Sequence, residues 1–142
     1  VKRFFSLSLL VLVFLFGCSK KGNEKFTAFS PEAFAYDLGD GWELNSTVRV
    51  KGFTQNEADK KFSASVSFSI DLVTPQGETK KGLFQGDEKK ENNEKFSDLP
   101  LEAQIELDST YKAGKYKVVY NIKDNLSGQT ATIEKDFEIS KD

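Results

Sequence analysis

The stretch Phe62-Ser63-Ala64-Ser65-Val66-Ser67-Phe68-Ser69-Ile70-Asp71-Leu72 decides the fold. Apolar side chains occupy every even position and serine or aspartate every odd one, the period of two of a strand with one buried face. A helix cannot use this run, because at about 100° per residue the apolar positions would point all round its axis.

The same rule spreads outward along the chain. Trp42, Leu44, Val48 and Val50 alternate with Asn45, Thr47, Arg49 and Lys51. Leu99, Leu101, Ala103, Ile105 and Leu107 alternate with Glu102, Gln104, Glu106 and Asp108. Tyr116, Val118, Tyr120 and Ile122 follow, then Ala131, Ile133, Phe137 and Ile139. Lys135 stands at an inward position of this last run. Either a bulge turns it outward or the strand is an edge, where an inward lysine snorkels and discourages edge-to-edge pairing.

Between these runs, Thr74-Pro75-Gln76-Gly77 reads as a turn and Thr79 to Gln85 as a short, weaker strand. Gly86 to Lys95, charge-rich and without an apolar residue, reads as a solvated loop. Asp124-Asn125-Leu126-Ser127-Gly128 reads as a hairpin connection. Phe26 to Asp40 is apolar and aromatic but broken by Pro31, which suits an irregular first strand at a sheet edge. The expectation is an all-β, antiparallel two-sheet β-sandwich of about seven strands over residues 26–142, without a helix.

The N-terminus follows a different pattern. Lys2 and Arg3 precede the uncharged run Phe4 to Phe16, which is the length of a signal core and too short to span a bilayer as a helix. Val1, in place of Met, is read as an alternative start. Leu15-Phe16-Gly17-Cys18 resembles the lipobox of bacterial lipoproteins, although Phe16 stands where that family places a smaller residue. The resemblance implies a signal peptide over residues 1–17, with cleavage before Cys18, which is acylated on its sulfur. Residues 18–25 then form the lipidated cysteine and a flexible tether. The expected address is the bacterial cell envelope, at the outer membrane or cell surface, with the membrane as a partner through the N-terminal lipid. Each buried acyl methylene adds about 0.8 kcal/mol to such an anchor.

A second resemblance rests on Gly114-Lys115-Tyr116-Lys117-Val118 and Tyr120-Asn121-Ile122-Lys123-Asp124. It is similar to the penultimate strand of immunoglobulin-like and fibronectin type III-like domains. There a tyrosine hydroxyl bonds back to the preceding corner. The resemblance gives Tyr116 that role, with Ser109 to Ala113 as the corner.

Composition narrows the chemistry. The chain has 20 basic and 22 acidic residues, no His, no Met and one Cys. Without Lys2 and Arg3 the balance is −4, and no basic stripe interleaves with aromatics, so nucleic acid is not an expected partner. Ser-His-Asp and Cys-His catalysis lack their base, and soft or borderline metals lack their usual ligands. No cofactor, metal or catalytic residue is expected. Asp37, Asp40 and Glu43 carry the oxygens a calcium loop needs, but their spacing is not that of an EF-hand, and a tight turn into the Trp42 strand accounts for the glycines. The face Ser63, Ser65, Ser67, Ser69 is either plain solvated surface or a hydroxyl-rich contact. Loops at the sandwich ends are the nominated interaction surface. The functional expectation is a lipid-anchored, non-catalytic module that binds a protein or other macromolecule. A structural or accessory subunit of an envelope assembly is the alternative, ahead of a small-ligand carrier or enzyme.

Overall fold

A computed structural model describes residues 24–141; Cys18 and the lipobox lie outside them. The described residues form eight strands: β1 (Thr27–Asp37), β2 (Gly41–Lys51), β3 (Asn56–Ala58), β4 (Lys61–Val73), β5 (Thr79–Asn92), β6 (Leu99–Asp108), β7 (Gly114–Asp124) and β8 (Thr130–Ile139). They pair antiparallel in two sheets. The first has the order β1-β2-β6; in the second, β4 lies between β5 and β7, and β8 follows β7. The short β3 pairs with the opening residues of β4.

The period of two produces the core directly. On β4, Ala64, Val66, Phe68, Ile70 and Leu72 are buried, while the serines between them face partly to solvent. β6 alternates buried and exposed at every residue. Inward side chains of both sheets join in one hydrophobic cluster that includes Trp42, Leu44, Leu101, Val118 and Tyr120. Each fully buried Val, Leu or Ile contributes about 1.5–3 kcal/mol, so this alternation is the main source of stability.

β1 is an edge strand, as its broken pattern implies. Its register with β2 shifts between Phe29 and Glu32, where Ser30 takes φ 50° beside Pro31. A proline without an N–H is tolerated at such a bulge. Lys135 is exposed and pairs in continuous register opposite Val118, so β8 has no bulge there and the edge alternative holds.

Two expectations are corrected. Gly86 to Asn92 is not a solvated loop, because β5 runs through Asn92 and pairs with β4 in continuous register from Phe84 onward; only residues 93–95 of the expected loop are exposed and outside a strand. Beyond Phe84 its side chains are polar on both faces, and the strand is held by backbone pairing that leaves no hydrophobic period. Gly86 is part of this pairing: a Cβ there would lie 2.7 Å from Phe68 Cε1, so its bare backbone makes room for the Phe68 ring. The strand count also rises to eight, through β3, whose three exposed residues carry no apolar signal.

Candidate functional site

The outer face of the second sheet carries the serine ladder. Register aligns Asp87 of β5, Ser67 of β4 and Lys123 of β7 in one row, and Gln85, Ser69 and Asn121 in the next. Short serines between longer neighbours leave a shallow hollow of about 820 Å3, which continues to Thr130 and Thr132 of β8. Its hydroxyls are wired to the β7–β8 turn. Ser67 Oγ donates to Asn125 Oδ1 at 2.9 Å, and Asn125 Nδ2 donates to Ser65 Oγ at 3.0 Å. Asn121 Nδ2 donates to Asp71 Oδ2 at 3.0 Å. Because the Ser67 proton goes to an amide oxygen, no base activates it as a nucleophile. The hollow offers neutral donors and acceptors flanked by one carboxylate and one ammonium.

Three buried polar groups organise the molecule beneath its surfaces. Tyr116 Oη donates to the Lys112 carbonyl at 2.8 Å, inside the expected corner. Burial pushes this phenol up, against the effect of that hydrogen bond. Tyr120, fully buried on β7, reaches across to the first sheet. Its hydroxyl lies 2.5 Å from Ser46 Oγ and 2.8 Å from the Glu32 carbonyl at the β1 bulge. Burial pushes its pKa up as well.

Asp124 is the third such group. Its carboxylate accepts the Thr54 N–H at 2.8 Å, the Leu126 N–H at 3.0 Å and the Ser127 hydroxyl at 2.5 Å. It thereby ties the segment after β2 to the β7–β8 turn. Burial alone would raise its pKa, but these donors outweigh it and hold the carboxyl below the usual range. Among the described residues, no buried side-chain polar atom lacks a partner. Sequence reasoning passed over Ser46 and Asp124. Ser46 is the one polar residue in the inward column of β2, and the Asp-x-x-Ser-Gly order at the turn was the available sign of a capping carboxylate.

The acidic loop before β2 is a turn: Leu38 N–H donates to the Gly41 carbonyl at 2.9 Å and Gly39 N–H to Asp37 Oδ1 at 2.7 Å. One Glu43 oxygen accepts from Asn45 Nδ2 at 2.7 Å. Asp37 and Glu43 are thus occupied separately, and no group of three or more metal-ligating carboxylates gathers among the described residues. Trp42, next to this turn, is buried and donates from Nε1 to the Tyr111 carbonyl at 3.0 Å.

The outer face of the first sheet presents a feature the sequence reading missed. Phe34, Tyr36 and Leu38 are 56%, 58% and 52% exposed. Ala33, before Phe34, and Ala35, between Phe34 and Tyr36, face the core. Phe34 and Tyr36 lie on β1 and Leu38 just past its end, and such neighbouring apolar side chains in open solvent are a stronger sign of an interaction surface than scattered ones. The alternation was legible, but which parity faced the core was not, since alanine is the weaker apolar signal.

The chain matches no protein-family model and no curated protein sequence. Among solved structures it is similar to a protein from Archaeoglobus fulgidus, at 12% identity and a TM-score of 0.38, covering 81% of this chain and 98% of that one. It is also similar to beta-glucosidase 3B from Thermotoga neapolitana in complex with alpha-D-glucose, at 13% identity and a TM-score of 0.33. That match covers 81% of this chain and 17% of the glucosidase.

Proposed function

We propose that this protein is a bacterial envelope lipoprotein, acylated at Cys18, whose β-domain is a non-catalytic binding module for another macromolecule. The observation that carries the reading is Leu15-Phe16-Gly17-Cys18 at the end of an uncharged apolar run behind Lys2 and Arg3. A lone cysteine at that spacing has a chemical use as a lipid carrier. The domain that follows supports binding over catalysis, since its buried polar groups are spent on structure and two of its large exposed apolar residues, Phe34 and Tyr36, lie on one face of β1.

On this reading the domain is an immunoglobulin-like β-sandwich. Support comes from the Tyr116 hydroxyl bonding back four residues to Lys112, and from inward faces of both sheets sharing one core. Metabolic labelling with a fatty acid tests the anchor: the wild type incorporates label and fractionates with membranes, and Cys18→Ala does neither. Equal incorporation in both proteins would overturn the lipoprotein reading.

A further inference from the structure

Register on the outer face of the first sheet surrounds the aromatic stripe with carboxylates. Phe34 of β1 aligns with Asn45 of β2 and Gln104 of β6, and Tyr36 aligns with Glu43 and Glu106. Glu32 aligns with Thr47 and Glu102 in the row on the other side of Phe34. These rows contain no lysine or arginine. The face's own cations lie further along and are already paired: Arg49 with Asp98, and Lys51 with Glu24 at 2.8 Å. Lys90 of β5 is bonded to Glu88 at 2.8 Å and is shared electrostatically with Glu102. At the Leu38 end, Lys112 and Lys141 border the same small hollow as Asp37 and Asp40. Among the described residues Glu32, Glu43, Glu102 and Glu106 have no ion-pair partner, and Glu43 and Glu106 are set beside the open aromatic rings.

We infer that this face docks a cationic protein segment, whose arginine or lysine side chains stack on Phe34 and Tyr36 and pair with Glu43 and Glu106. Charge selects this occupant. A second copy of the same face would bring carboxylate against carboxylate, and an anionic lipid surface would be repelled in the same way. An aromatic ring attracts a cation through its quadrupole, and a nearby carboxylate strengthens that preference. The inference rests on the binding-module reading and adds the surface and the partner's chemistry.

The test is amide-shift mapping of the full, acylated chain in zwitterionic detergent, titrated with a soluble octapeptide of alternating arginine and serine. The expected shifts centre on Phe34, Tyr36, Glu43 and Glu106, and affinity falls steeply with added salt. Glu43→Gln with Glu106→Gln should weaken binding about tenfold or more, and Phe34→Ser with Tyr36→Ser comparably, both at unchanged melting temperature. All four side chains point outward, so these variants keep the fold. Shifts centred on the serine hollow, or equal affinity in every variant, would overturn the assignment. So would the stripe binding anionic vesicles or a neutral oligosaccharide in preference to the peptide. Fatty-acid labelling at Cys18 is read independently, so loss of the lipoprotein reading and loss of this surface give different results.

Discussion

β6 and β5 are both long antiparallel strands, yet they are strands for different reasons. On β6 every second side chain, from Leu99 to Leu107, is buried, and removal from water holds the strand in register. β5 is longer, at 14 residues, but past Phe84 it buries almost nothing and persists because its backbone pairs with β4. One strand is defined by its side chains and the other by its partner. Mutational sensitivity should therefore differ in kind between them.

The largest expected effect is on β6. Leu101→Ala removes a side chain that is 1% exposed and should cost about 2–5 kcal/mol in urea denaturation. A loss below the range for a surface site would break the contrast at its stronger end.

Asp124 shows that side-chain hydrogen bonding can hold the connections as burial holds β6. Asp124→Asn places an amide against the Thr54 and Leu126 N–H donors and should cost about 1–3 kcal/mol. Because the folded carboxyl is held below its ordinary value, its contribution is complete above the unfolded-state pKa. It is lost as pH falls through the lower folded-state value. The wild type should lose stability along that acid limb, and Asp124→Asn should flatten it. Parallel acid profiles for the two proteins would remove Asp124 from this role.

On β5 the sensitive residue is a glycine. Gly86→Val drives a side chain into the Phe68 ring and should cost about 1–3 kcal/mol by overpacking. If Gly86→Val is as stable as wild type, the close approach to Phe68 is not a constraint.

Tyr116→Phe keeps the ring and deletes one hydrogen bond, so stability should fall by about 0.5–1.5 kcal/mol, with partner binding intact in the folded protein. Loss of binding in a fully folded Tyr116→Phe protein would place the phenol in a site. The smallest effect belongs to β5 again: Lys89→Ala, exposed on its outer face, should change stability by no more than about 0.5 kcal/mol. A multi-kcal loss by thermal denaturation would mean that β5 depends on its side chains after all.

The strands that were legible in advance are those whose sequence carries a hydrophobic period. β4, β6 and β7 could be read residue by residue, and Pro31 marked the irregular edge strand. Ser46 and Gly86 were missed for a shared reason: each was classified by its own chemistry, whereas its role depends on a distant residue, Tyr120 or Phe68. The aromatic stripe was missed because Ala33 and Ala35 carry little hydrophobic signal, and only the packed sheet reveals that they, and not Phe34 and Tyr36, face inward.

Sequence alone was sufficient for the all-β class, the inward columns of the core strands and the position of Cys18 behind an apolar run. Each of these is written in local periodicity, which records how a side chain is disposed toward water. Tertiary structure alone decided that a charged run extends β5 into the longest of the described strands, that Asp124 is buried and stapled to Thr54, and that Phe34 and Tyr36 stand open beside Glu43 and Glu106. These depend on which backbone lies alongside which, and pairing between segments far apart in the chain leaves no period in either of them.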